Sequence, residues 1–140
     1  MIRKFQTGDL ETVMSVWLNA NLEAHSFINP DYWLENYDAV KDMIPQAEVY
    51  VSEGEHGING FIGVVDNYIA GIFVDVSARA AGIGSQLLDR VRQNRKSLRL
   101  SVYRKNTTAV SFYRRRGFQI DKESVDPETS EAEYAMTWNG

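Results

Sequence analysis

The chain has 140 residues, of which 44% are hydrophobic and 24% charged, with a formal net charge of −4 and no cysteine. That length gives one domain able to bury a core without disulfides or metal staples. The mild acidity argues against general nucleic-acid binding and suits a cationic second substrate, while the missing thiols exclude disulfide scaffolds, thiolate metal sites and cysteine nucleophiles.

The N-terminal residues through Gly8 include Arg3 and Lys4 but no apolar stretch behind them. No window approaches the roughly 18 apolar residues of a membrane span. A cytoplasmic protein with no signal peptide and no membrane partner is therefore expected.

Ile2 to Phe5 is short and extended in character. Thr7, Gly8 and Asp9 offer capping groups ahead of Leu10, Val13, Met14, Trp17 and Leu18, whose i, i+3, i+4, i+7, i+8 spacing predicts a first helix. Residues 19–29 loosen into polar side chains. Pro30 then opens a second helical segment with Tyr32, Trp33, Tyr37, Val40 and Ile44 on its apolar face, ending before Pro45. The hydrophobic period changes next from 3.6 to 2. Val49–Val51, Ile58–Val65 and Tyr68–Val74 read as strands, and the tight turns between them predict antiparallel neighbours.

A third helix opens near Gly82 and carries Ile83, Leu87, Leu88 and Val91 on one side. A strand with alternating Leu98, Leu100 and Val102 follows. A fourth helix runs from the N-cap Asn106 to the C′ residue Gly117. Phe118–Val125 and Glu133–Trp138 close the chain as strands. The order β-α-α-β-β-β-α-β-α-β-β describes a single α+β domain over residues 1–140, with one central mixed, mostly antiparallel sheet flanked by four helices.

The loop Arg79, Ala80, Ala81, Gly82, Ile83, Gly84 joins the strand Tyr68–Val74 to the third helix. With two glycines and no acid, it presents several unpaired N–H groups to one point, a site for phosphate. Taken alone it is equally a strand-to-helix turn in which Gly82 supplies a positive φ and Gly84 allows close packing. A Gly-x-Gly pair arises by chance in roughly half of chains this long, so the loop needs support from elsewhere. It fits neither named nucleotide loop: position 87 is Leu87, not a third glycine, and Gly84 is followed by Ser85 and Gln86.

The support comes from Asn106-Thr-Thr-Ala109-Val-Ser-Phe112-Tyr113-Arg-Arg-Arg-Gly117-Phe118. With the loop and the element order, this stretch resembles the GNAT superfamily of N-acetyltransferases. Members carry Gln/Arg-x-x-Gly-x-Gly/Ala after their fourth strand and Asn-x-x-Ala-x-x-Phe-Tyr-x-x-x-Gly-Phe across their last helix. Within it, His25-Ser-Phe27-Ile28 followed by Tyr32 and Trp33 is similar to the small bacterial YiaC/YjaB-like acetyltransferases. Val76 stands where many members have proline, and Ala80, which keeps its N–H, where many have glycine.

The resemblance implies acetyl-CoA as cosubstrate and no metal. It places the pyrophosphate on the amides of Ala80, Ala81, Gly82, Ile83, Gly84 and Ser85, with Arg79 adding charge or fixing the loop. It pairs the backbone of Phe73 and Val74 with the pantetheine arm and aims an N–H at the thioester carbonyl. Asn106 contacts the coenzyme, caps its helix, or both. Tyr113 becomes the general acid for the departing thiolate; the alternative is that Phe112 and Tyr113 are an ordinary aromatic pair packing the helix on the sheet. Arg114, Arg115 and Arg116 read as a solvated face, from which one arginine neutralises the coenzyme's ribose phosphate.

A primary amine of pKa about 10.4 must lose a proton before it attacks. His25, Asp38 and Glu48 are candidate bases, and His25 is equally a residue that shapes the acceptor pocket; His56, in a hairpin turn, is expected to be exposed. Phe27, Tyr32 and Trp33 are acceptor-pocket walls or plain core. Without cysteine, attack is direct, in a ternary complex. The acceptor is a protein lysine or a small-molecule amine, and the protein a monomer or homodimer that binds no nucleic acid. Two rival readings are a non-catalytic acyl-CoA-binding sensor and an unrelated phosphate-binding protein.

Overall fold

A computed structural model describes residues 1–79 and 81–140. The elements are β1 (Ile2–Lys4), α1 (Leu10–Ala24), α2 (Pro30–Met43), β2 (Glu48–Gly54), β3 (Gly57–Val65), β4 (Tyr68–Val74), α3 (Ile83–Arg92), β5 (Ser97–Tyr103), α4 (Thr107–Arg115), β6 (Gln119–Val125) and β7 (Ala132–Asn139). This is the expected order, and no helix among the described residues is long and apolar enough to cross a membrane.

The strands form one seven-stranded sheet in the order β1-β2-β3-β4-β5-β7-β6. The tight turns after β2 and β3 give antiparallel pairs, with Gly57 (φ 105°) and Asp66 (φ 55°) supplying the positive-φ positions. β4 and β5 are the parallel pair. Alternation along the strands divides the core between the two faces of the sheet. On one face Ile62, Leu87, Leu88, Leu98, Phe118 and Met136 pack α3 and α4 against the strands. On the other, Val13, Met14, Trp17, Trp33, Val51 and Phe61 do the same for α1 and α2. Leu87 and Leu88 are fully buried, so truncating either to alanine costs about 2–5 kcal/mol.

Two features of the first helix differ from expectation. It continues to Ala24 instead of loosening after Leu18, because Ala20 and Asn21 turn inward and the Asn21 amide donates to the Trp17 carbonyl at 2.9 Å inside the helix. Asp9 does not cap α1 through its side chain. A 3-10 turn over Thr7–Asp9 precedes the helix, and the Asp9 carboxylate accepts from Arg3 (2.8 and 3.0 Å) and from the Gln6 amide (2.8 Å).

The feature that makes a site is a split in the sheet. β4 and β5 are in register only at Tyr68↔Arg99 and Ile69↔Leu100, yet β4 runs on to Val74 and β5 to Tyr103. Beyond Ile69 the strands part, and the β4 edge facing β5 has no strand partner among the described residues.

Candidate active site

β4 is held on its far side by β3 in the pairs Ile62↔Ile72, Phe61↔Phe73 and Gly60↔Val74. The Asp75 N–H donates to the Asn59 carbonyl at 2.8 Å, so the Asp75 amide faces β3. Backbone direction alternates along a strand, which turns the Phe73 amide toward β3 and the Ile72 and Val74 amides into the split. An extended ligand could add there as a further strand. Phe73 instead contributes its ring, tilted against Phe61 with centroids 5.0 Å apart. Ile72 was not among the residues singled out from the sequence. Strand alternation counted back from Asp75 is the signal that locates it.

The loop then delivers the N-terminus of α3. Gly82 sits at φ 77°, as its role in a strand-to-helix turn requires, and the first intrahelical bond runs from the Gln86 N–H to the Gly82 carbonyl at 3.1 Å. The N–H groups of Ile83, Gly84 and Ser85 are therefore the unpaired donors of the first turn. A Cβ on Gly84 would stand 3.2 Å from the Phe112 ring, so glycine lets α3 and α4 approach closely there. Ala80 lies outside the described residues.

These groups line one cavity of about 640 Å³. Ile72, Phe73, Val74, Arg79, Gly82, Ile83, Gly84, Ser85, Asn106 and Tyr113 all face it, as does His25 from the end of α1. Four cations, Arg79, Lys105, Arg115 and Arg116, and one carboxylate, Glu23, complete its charged lining among the described residues. Glu23 is ion-paired with Arg79, so that cation anchors the loop to α1.

Arg116 is not part of a solvated face. It is half-buried over the Phe112 ring (3.8 Å to the centroid), donates to the Phe112 carbonyl at 3.1 Å and grips the Ser85 hydroxyl, with Nε at 2.9 Å. It thus ties the end of α4 to the start of α3 and places positive charge beside that helix N-terminus. Arg114 and Arg115 are exposed.

Tyr113 is 7% exposed, with Phe112 and Phe118 edge-on at 5.2 and 5.4 Å. Burial raises its phenol above the ordinary tyrosine range, so the ring enters the cavity protonated. Asn106 is the N-cap of α4: its Oδ1 accepts from the Ala109 N–H at 3.2 Å, and its Nδ2 lies 3.1 Å from His25 Nε2. His25 Nδ1 lies 3.1 Å from Asn21 Oδ1, and burial lowers the imidazole pKa to about 4.

The remaining sequence candidates sit elsewhere. Glu48 is clamped by Arg95 at 2.8 and 3.1 Å beside a second, polar cavity, and Asp38 and His56 are exposed. Trp33 is buried, stacked on His25 at 5.3 Å, while Phe27 and Tyr32 are half-buried around the same cluster. None of these three lines the cavity.

A mixed sheet split after its fourth strand, with a glycine-started helix at the foot of the split and a capped helix carrying a buried tyrosine opposite, defines an acyltransferase fold. Residues 45–120 match the family model described as an acetyltransferase (GNAT) domain. The peptidyl-lysine N-acetyltransferase YiaC of Escherichia coli is 32% identical over 140 residues, covering 99% of this chain and 96% of that protein. The solution structure of apo YjaB from Escherichia coli superimposes with a TM-score of 0.86 at 24% identity, covering 100% of this chain and 97% of that one. A putative streptothricin acetyltransferase from Bacillus anthracis, solved in complex with acetyl coenzyme A, matches with a TM-score of 0.62 at 24% identity over 67% of this chain and 62% of its own. The chain belongs to the GNAT acetyltransferase family.

Proposed function

We propose that this enzyme transfers an acetyl group from acetyl-CoA to a primary amine, with protein lysine side chains as the acceptor class, by direct attack in a ternary complex. The observation that carries the reading is the continuity of one cavity from the free N–H groups of α3, along the unpaired edge of β4, to the Tyr113 phenol. The printed names of the relatives YiaC and YjaB support the acceptor class, and the relative solved with acetyl coenzyme A supports the donor.

The residues present fit that donor. The amides of Ile83, Gly84 and Ser85 would hold its pyrophosphate, with Arg116 adding charge at the same helix end. The Ile72 and Val74 main chain would pair with its amide-bearing arm, one N–H polarising the thioester carbonyl. Losing an oxyanion donor of this kind costs about 3–4 kcal/mol in enzymes where it has been removed.

An acetyl thioester supplies the activated acyl carbon. The amine nitrogen bonds to that carbon, the carbon–sulfur bond breaks, and sulfur takes a proton. A thiolate of pKa about 8.5 does not deprotonate a buried phenol unaided, so Tyr113 donates a hydrogen bond that stabilises the departing thiolate, and of the two protons the ammonium gives up one reaches sulfur and the other is released. Glu23, the carboxylate in the described lining, is tied to Arg79, so the released proton leaves through solvent at the cavity mouth.

The test is thiol release from acetyl-CoA across lysine peptides, N-terminal amines, free amino acids and polyamines, with mass spectrometry of the products. Lysine peptides are expected to be acetylated on the side chain. Tyr113→Phe should lower kcat about 100-fold and leave the acetyl-CoA Kd within about twofold. Acetyl-CoA binding with no thiol released on any amine would overturn the enzyme reading in favour of a sensor. Acetylation confined to small amines would overturn the acceptor class.

A further inference from the structure

We infer that His25 is a positioning residue: it clasps the Asn106 amide, fixes the N-terminus of α4 and with it Tyr113, and does not take the acceptor's proton. The inference rests on the acetyltransferase reading for its kinetic consequences and on geometry alone for the clasp.

Hydrogen-bond bookkeeping fixes every orientation in the chain of contacts. Asn21 donates its Nδ2 to the Trp17 carbonyl at 2.9 Å, so the atom facing His25 Nδ1 is Oδ1, an acceptor. Nδ1 must therefore carry the hydrogen. At the other end, Asn106 Oδ1 accepts from the Ala109 N–H, so its Nδ2 donor faces His25 Nε2, which must present a lone pair. One neutral tautomer satisfies both contacts. The line runs from the Trp17 carbonyl through Asn21, His25 and Asn106 to the Ala109 N–H, joining the last turn of α1 to the first turn of α4.

The imidazole is held in place on three sides. It stacks on Trp33 at 5.3 Å and meets the edges of Phe27 and Tyr103 at 5.7 and 5.2 Å. The lone pair a base would use points at an amide donor, and Tyr113 follows Ala109 by one helical turn. The titratable groups about His25 are Glu23 on α1, Tyr103 on β5 and Lys105 over the Phe27 ring. Burial outweighs Glu23, and the ring is neutral at working pH.

The experiment compares His25→Leu, His25→Gln, Asn106→Ser and the double variant His25→Leu/Asn106→Ser in the full chain. Serine keeps the helix cap and removes the donor to His25. Each of His25→Leu and Asn106→Ser should lower kcat about 10-fold, and the double variant should be no worse than the weaker single within about twofold. His25→Gln, which restores an acceptor oxygen, should recover part of the loss. Between pH 6 and 9 the kcat profile of every variant should keep the wild-type shape. Multiplying single effects, a His25→Gln rate that rises in proportion to hydroxide, or a His25→Gln rate at or below His25→Leu would overturn the inference.

Imidazole ¹⁵N shifts of the free wild-type protein at pH 7 supply the arm that needs neither turnover nor a stable variant. The Nδ1–H tautomer is expected; an Nε2–H tautomer, or a His25 ring titrating between pH 6 and 7, would overturn the clasp. Wild-type protein that releases no thiol refutes the acetyltransferase reading and leaves the clasp to the NMR result.

Discussion

The two walls of the cleft are built from different material. The wall proposed for the donor, formed by β4 and the first turn of α3, presents main-chain groups: the Ile72 and Val74 edge and the amides of Ile83, Gly84 and Ser85. The opposite side, where His25 and Asn106 line the cavity, is backed by side chains locked on one another that do not themselves reach it. Trp33, Phe27 and Tyr103 enclose His25, Tyr32 donates to Glu128 at 2.9 Å, and Tyr103 donates to Asp126 at 2.7 Å. A main-chain wall depends on where glycine and a helix start fall, so any side chain that keeps the backbone path preserves it. A side-chain wall depends on partners far apart in sequence and can be rebuilt without disturbing the donor. The stretch matched by the family model contains the whole donor wall and leaves out α1 and α2.

The comparison breaks most sharply at Gly82. At φ 77° a β-branched residue is strained by about 1–3 kcal/mol, and relief means moving the amides of α3. Gly82→Val is expected to weaken acetyl-CoA binding roughly 10- to 100-fold by calorimetry. The acceptor KM measured at saturating donor should stay within twofold. An equal rise in both would show that the walls are not separable.

Acidity should act on the other wall first. His25 has a folded-state pKa of about 4 against about 6.5 unfolded, so the unfolded chain binds the proton more readily. Its contribution to stability is full above pH 6.5, falls as the pH drops toward 4, and is exhausted below that. After allowance for partial exposure the loss is about 2 kcal/mol. Urea unfolding at pH 7 and pH 4.5 should therefore show a smaller difference for His25→Gln than for wild type. An unchanged difference would mean that the imidazole is not desolvated.

What could be read in the sequence follows the same division. Strand period, the Asn106 cap, the positive φ at Gly82 and the close approach at Gly84 are local or main-chain properties, and each stands where the residues put it. The end of α1 is hidden because the polar residues after Leu18 read as loosening chain until the Asn21 amide is seen bonded inside the helix. Arg116 looked like one of three solvated arginines because its partner Ser85 lies 31 positions away. The His25–Asn106 contact spans 81 positions, with no periodicity to announce it. Long-range side-chain pairing leaves no mark in a local pattern, and the cluster about His25 consists of little else.

Tyr103, packed behind His25, sharpens the comparison from the side proposed for the acceptor. Its hydroxyl holds Asp126 at the start of the β6–β7 connection. Tyr103→Phe removes a hydrogen bond to a carboxylate, worth about 1.5 kcal/mol or somewhat more where partly buried. The acceptor KM should rise about fivefold to tenfold while the acetyl-CoA Kd is unchanged. A change in donor affinity alone would place Tyr103 on the wrong wall.

The smallest effect is expected where the walls touch. Glu23 on α1 and Arg79 on the donor loop form an ion pair whose side chains are 48% and 39% exposed, so it contributes below about 1 kcal/mol and is screened by salt. Glu23→Gln releases Arg79 toward the anionic end of the cavity, where the freed guanidinium has two opposing consequences: the loop loses its tether to α1, and the donor's phosphates gain a cation. Loss of the tether is insensitive to salt, whereas attraction to phosphate fades as ionic strength rises. Measuring the acetyl-CoA Kd of Glu23→Gln and wild type at 20 mM and 500 mM salt separates the two. The variant should bind about twofold to threefold tighter at low salt and match wild type at high salt. Weaker binding at both would show that Arg79 serves the donor by anchoring its loop, and that the donor wall borrows one of its supports from the other side.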